Sequence, residues 1–150
     1  MSIRPSASAA NDRLFWLALL AGPLCWLLLW QLTPPLRFRP DWPLTSPLPL
    51  LMAVLVYPPL EEIVFRGWLQ GSLQQRLDPA SRACGISRAN LLASLAFALL
   101  HLLNHSPFHA AGVFVPSLLF GLFYERHQRL SSPMLLHGWY NLGYVYLFGS

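Results

Sequence analysis

The chain has no lysine, six acidic residues in 150, and two cysteines; 11% of its residues are charged and 55% are hydrophobic. That scarcity of charge excludes an ordinary soluble domain of this length, in which about a quarter of residues carry charge. Without lysine, the +4 net charge rests on ten arginines alone. It reads as a membrane-orientation signal and implies no nucleic-acid partner. The cysteines exclude a disulfide framework: Cys25 lies in an apolar run and Cys84 in a polar stretch, so both are expected to be unpaired thiols far apart. There is no internal repeat and no second domain. No small-x-small cleavage pattern follows the first apolar run, which excludes a secretory signal peptide.

What the chain has is apolar stretches close to spanning length, about 17 to 25 residues for a helix. They predict an all-α polytopic membrane helix bundle of about five spans, at residues 14–32, from 48 through Tyr57-Pro58-Pro59 to the charged cluster beyond, 89–103, 110–124 and 133–148. The second is expected to pass its prolines with a kink, because neighbouring groups can satisfy the freed carbonyls in a membrane helix. Residues 1–12 read as a disordered N-terminus and 13–33 as a first transmembrane helix. Residues 33–49, with six prolines, read as an extended loop with Trp42 as an interfacial anchor. Arginine asymmetry places the N-terminus in the cytoplasm: Arg4, Arg13, Arg76, Arg82, Arg88, Arg126 and Arg129 fall on that side, Arg37 and Arg39 on the other, and Arg66 inside.

Ionisable residues at membrane depth are costly and mark functional sites by default. Glu61 and Glu62 follow an apolar run, and Arg66 is four residues past Glu62 on the same helical face. Glu62 is therefore expected to pair with Arg66, leaving Glu61, about 100 degrees round, to face elsewhere. His101 ends a second apolar run, four residues after Phe97. His137 and Asn141 project together from the last run. A carboxylate, two imidazoles, a carboxamide and an ion pair are the parts of a water-activating site with an oxyanion hole. Each has a plainer reading: charges at a membrane surface, a packed histidine, interhelical hydrogen-bond glue. His105 and His109 read as surface residues. His101 and His105 have the spacing of a zinc helix, but Leu102 stands where the metalloprotease glutamate belongs.

Glu61-Glu62-x-x-x-Arg66, Phe97-x-x-x-His101, Phe114 ahead of Gly121-Leu122, and His137-x-x-x-Asn141 together resemble the CAAX-protease and bacteriocin-processing family of intramembrane endopeptidases, also called the CPBP or Abi family. The resemblance implies a four-helix catalytic core within residues 34–150 of a protein integral to a bacterial inner membrane. It implies Glu61 as the general base and His137 as its partner, His101 and Asn141 as oxyanion stabilisers, and Glu62 with Arg66 as support. Phe97, Phe114, Gly121 and Leu122 match packing positions. No cofactor is implied. The implied partners are the lipid bilayer and a protein or peptide substrate with a membrane-proximal cleavage site, such as a C-terminal sorting tail or a leader peptide.

Three other functions compete. Glu61, His101 and His137 are three possible zinc ligands, which makes a zinc-dependent metalloprotease the nearest alternative. A non-catalytic peptide-binding or immunity membrane protein would keep the same residues as packing. A proton or ion relay is disfavoured by the missing inverted repeats.

Overall fold

The computed structural model describes residues 8–32, 39–78, 81–83 and 85–149. Arg4, Arg37 and Cys84 lie outside the described residues. Five helices stand where apolar runs predict them: α1 at Arg13–Leu32, α2 at Pro47–Arg76, α3 at Arg88–His101, α4 at Pro107–His127 and α5 at Ser131–Phe148. Of these, α1, α2 and α4 are long and apolar enough to cross a membrane, whereas α3 is a shorter apolar helix of 14 residues. Leucines such as Leu20, Leu24, Leu55 and Leu99 point outward, as they must where lipid is the solvent.

Local chemistry sets the helix ends. Asp12 accepts a hydrogen bond from the Leu14 amide at the start of α1, Ser87 accepts from Asn90 N at 3.0 Å at the start of α3, and Ser106 accepts from His109 N at the start of α4. Gln128 closes α4 in the left-handed conformation, φ 53°. Between α2 and α3, Arg82–Ala83 and Ile86–Ser87 pair as a small antiparallel hairpin, β1 and β2.

Helices α2, α3, α4 and α5 form a ring, and α1 packs outside it on α5. A hydrophobic cluster of Phe15, Ala18, Phe120, Phe123 and Leu136 joins α1, α4 and α5. Trp139 Nε1 and Tyr140 Oη donate to the Leu19 and Ala18 carbonyls, so α1 is also hydrogen-bonded to the core.

Two expectations need correction. Residues 8–12 are not disordered: Ala9–Asn11 form a turn, and buried Asp12 binds Arg126 Nε at 2.7 Å and His127 Nε2 at 3.1 Å. A burying ion pair more than a hundred residues away compensates the cost of ordering this segment. Trp42 is no lipid-interface anchor either: it is buried, and its Nε1 donates to the Tyr146 carbonyl at 3.0 Å. The polar edge of the indole thus finds its partner at the end of α5 instead of in headgroups.

Helix α2 passes through Pro58 and Pro59 without stopping. Two stretches adopt the wider π spacing, Met52–Val56 before the prolines and Ile63–Gln70 after Glu62. The Tyr57 amide bonds back to Met52, five residues earlier. Prolines lack the N–H that would satisfy the preceding turn, and a widened turn is one way a helix absorbs them. Helix α5 covers the exposed carbonyls: Asn141 Nδ2 donates to Ala53 O at 2.9 Å, and Gly138 lies so close that an added Cβ would sit 2.8 Å from Val54 O.

Candidate active site

Glu61 and Glu62 are neighbours on α2, and they address opposite nitrogens of one imidazole. His137 Nδ1 lies 2.9 Å from Glu62 Oε1, and His137 Nε2 lies 3.4 Å from Glu61 Oε2. Glu62 also accepts from Arg66 Nε at 3.0 Å, so one carboxylate serves both the predicted partner and a histidine from another helix. Glu62 and Arg66 have no exposed surface, and His137 is 5% exposed. Phe120 stacks on the His137 ring at 4.8 Å and 19°, and Phe97 meets it edge-on at 5.8 Å. The ring is therefore held on both edges by carboxylates and on its faces by aromatics.

That geometry fixes protons. Glu62 is a hydrogen-bond acceptor, so His137 Nδ1 carries the hydrogen. Nε2 then faces Glu61.

Glu61 is only half-buried, and it lines a cavity of about 380 Å³ with Tyr57, Phe65, Phe97, Leu100, His101, Asn104 and His105. The cavity walls come from α2 and α3 and from the loop after α3. His101 Nδ1 lies 2.9 Å from the Phe97 carbonyl and must donate to it, which leaves Nε2 uncommitted among the described residues. The rings of His101, His105 and His109 stack at 4.4 to 6.2 Å between centroids. His105, exposed as the sequence placed it, lines the cavity, and His109 stacks on it.

Of the four residues expected to meet, Glu61 and His101 share the cavity, and His137 sits directly behind Glu61. Asn141 does not line it. Asn141 stands one turn beyond His137 on α5 with one amide hydrogen on Ala53 O; the second is uncommitted among the described residues.

Several buried polar residues escaped the sequence reading. Arg66 Nη2 donates to Ser117 Oγ at 2.6 Å, and Nη1 to Ser94 Oγ at 3.3 Å and Gln70 Oε1 at 3.4 Å. Gln70 Nε2 donates to Glu125 Oε1 at 2.9 Å and to the Gly121 carbonyl at 3.1 Å. Ser94 Oγ donates to Asn90 Oδ1 at 3.0 Å, and Asn90 Nδ2 to the Leu118 carbonyl at 2.9 Å. Gly121 makes this possible, because a Cβ there would lie 2.0 Å from Asn90 Oδ1. Nearly every polar atom around the guanidinium is thereby satisfied, the condition under which a buried charge persists.

Among the described residues, no group of three or more His, Cys, Asp or Glu side chains is arranged to hold a metal.

The type II CAAX prenyl endopeptidase Rce1-like family matches residues 43–143, which is more than half of the chain and contains every residue of this site. The chain belongs to that family. It is accordingly an integral membrane protein of a protease family, and its substrates are proteins or peptides. No curated protein and no solved structure matches it. The match begins inside the proline-rich segment and does not cover α1.

Proposed function

We propose that this protein is a glutamic-type intramembrane endopeptidase in which Glu61 and His137 activate water for attack on a peptide bond lying in the α2–α3 cavity. The observation that carries this is the contact of Glu61 Oε2 with His137 Nε2 at 3.4 Å on the wall of a cavity, with Nδ1 of the same ring locked to Glu62. Glu61 takes one proton from water as the oxygen bonds to the carbonyl carbon. The Glu61–His137 pair then returns that proton to the leaving nitrogen as the C–N bond breaks, yielding a carboxyl and an amine terminus. Negative charge on the carbonyl oxygen is met by His101 Nε2, which donates only when the ring is doubly protonated, since Nδ1–H is committed to Phe97. Asn141, which does not line the cavity, instead ties α5 to α2 through the Ala53 carbonyl. Glu62 fixes the tautomer and orientation of His137, the part a buried carboxylate plays behind a catalytic histidine.

The substrate is a membrane-associated segment with a small apolar or aromatic side chain beside the cleaved bond, matching walls of Tyr57, Phe65, Phe97 and Leu100. A C-terminal sorting tail or a leader peptide is of this kind. The protein resides in a bacterial inner membrane with its N-terminus cytoplasmic: antiparallel helices gather Arg13, Arg76, Arg82, Arg88, Arg126 and Arg129 at one end of the bundle and leave Arg39 at the other.

The test is a census of protein termini in membranes carrying the wild-type chain or Glu61→Gln. New termini present only with the wild type support an endopeptidase and name its substrate. Identical termini in both contradict it.

A further inference from the structure

The polar residues around Arg66 do not end at the guanidinium. They continue through Gln70 to Glu125 and reach the surface at Arg82 of the hairpin, whose Nη2 lies 3.0 Å from Glu125 Oε2. Ser87, which caps α3, donates to the other Glu125 oxygen. Arg82 is 46% exposed, whereas Gln70 and Arg66 are wholly buried and the Glu125 side chain is 5% exposed. From Arg82 inward, the partners run cation, carboxylate, amide, cation, carboxylate, imidazole.

Gln70 is the informative member. Its Oε1 faces the Arg66 guanidinium and its Nε2 faces the Glu125 carboxylate, so the amide dipole is aligned between a positive and a negative group. No other orientation satisfies both neighbours, which fixes the amide without ambiguity. Arg66 and His137 share Glu62, one on each carboxylate oxygen, so the pose in which Gln70, Ser94 and Ser117 hold the guanidinium sets where Glu62 presents its other oxygen to His137 Nδ1. Neither Gln70 nor Glu125 touches the cavity.

We propose that Gln70 and Glu125 are positioning residues for the Glu61–His137 pair: they hold Arg66 in a fixed pose, and Arg66 through Glu62 keeps His137 in its Nδ1-protonated form. Around metal-ligating histidines, losing a hydrogen-bond partner that orients the ligand costs about 10- to 100-fold, and an effect of that order is expected here.

The test uses the full chain in detergent micelles with 15N-labelled histidine, read by nitrogen chemical shifts that separate the two neutral tautomers. This arm needs no substrate and is independent of the proteolytic assignment, on which only the rate arm rests. Wild type shows a single His137 species protonated at Nδ1. Gln70→Met and Glu125→Met each bring in a second tautomer, while Glu125→Gln, which keeps an oxygen for Gln70 and Ser87, restores the single species. In the rate arm, kcat for the segment found by the terminus census falls about tenfold in both Met variants with KM unchanged. A purely structural role would lower the melting temperature and leave the tautomer alone. A single Nδ1-protonated His137 in whichever Met variant folds overturns the proposal, whatever happens to cleavage. The mixed tautomer sustains it even if no cleavage is ever seen, in which case the protease assignment is what fails.

Discussion

Glu62 binds Arg66 with one carboxylate oxygen and His137 with the other, at 3.0 and 2.9 Å, with no exposed surface on either charged partner. One side chain thereby joins the helix that bears the acid cluster to the helix that bears the histidine. Because an unpaired charge in such a place is far costlier than no charge, Glu62→Gln is expected to destabilise the protein by about 3 to 5 kcal/mol. Glu62→Gln combined with Arg66→Met should cost less than the sum of the single changes. Thermal unfolding in detergent across the four proteins measures this; strict additivity would mean that the pair is not coupled.

Helix α5 reaches α2 through Asn141 on Ala53 O and through bare Gly138 against Val54 O. Gly138→Ala puts a methyl 2.8 Å from a backbone oxygen that cannot step aside, so α5 and its histidine must shift. The expected cost is about 1 to 3 kcal/mol in stability, together with a fall in cleavage although residue 138 contacts no substrate. Wild-type stability and cleavage in Gly138→Ala would show that the close approach is dispensable.

At the arginine-rich end, the Arg126 hydrogen bond, and secondarily His127, hold the Asp12 carboxyl below the usual carboxylate range against the opposing effect of burial. A group whose folded value is depressed stabilises above its unfolded value, near 3.9, and loses that contribution as pH falls through the folded one. Stability should therefore decline below about pH 4, and Asp12→Asn should be less stable at neutral pH by about 1 to 2 kcal/mol, with part of that acid dependence gone. Melting temperatures of both proteins at pH 3, 4, 5 and 7 decide it: parallel curves would remove Asp12 from the account.

Water activation by Glu61 and His137, as proposed, calls for no metal, so cleavage is expected to survive exhaustive chelation without change in kcat. Metal content and activity measured together on the dialysed protein are the check. Activity that vanishes on chelation and returns with zinc would replace the Glu61–His137 mechanism with a metal-based one.

How much of this could be read in advance follows from which forces are local. Glu62–Arg66 and the shared face of Phe97 and His101 are i,i+4 relations within one helix, and spacing alone exposes them. The same spacing runs on to Gln70, and recurs from Asn90 to Ser94 and from Ser117 through Gly121 to Glu125. Those rows were legible in principle, but lone serines and amides in apolar helices look neutral until a guanidinium is found among them. That His137 would stand between both glutamates, rather than beside Glu61 only, required knowing which edges α2 and α5 turn to each other. Likewise Asp12 with Arg126, 114 residues apart, leaves no periodic trace. The tandem prolines announced a disturbed helix; the widened turns that absorb them, and the carbonyls they free for Asn141, depend on the helix packed against them.

If Glu61 and His137 act as one acid–base unit on water in the cavity, losing both should cost no more than losing one. Single-turnover cleavage of the identified segment in proteoliposomes, comparing wild type with Glu61→Gln and His137→Ala at equal folded protein, measures it most directly. Each variant should be slowed by about 10²- to 10⁴-fold, and the double variant should be no slower than the worse single one. Cleavage at the wild-type rate by either single variant would contradict it.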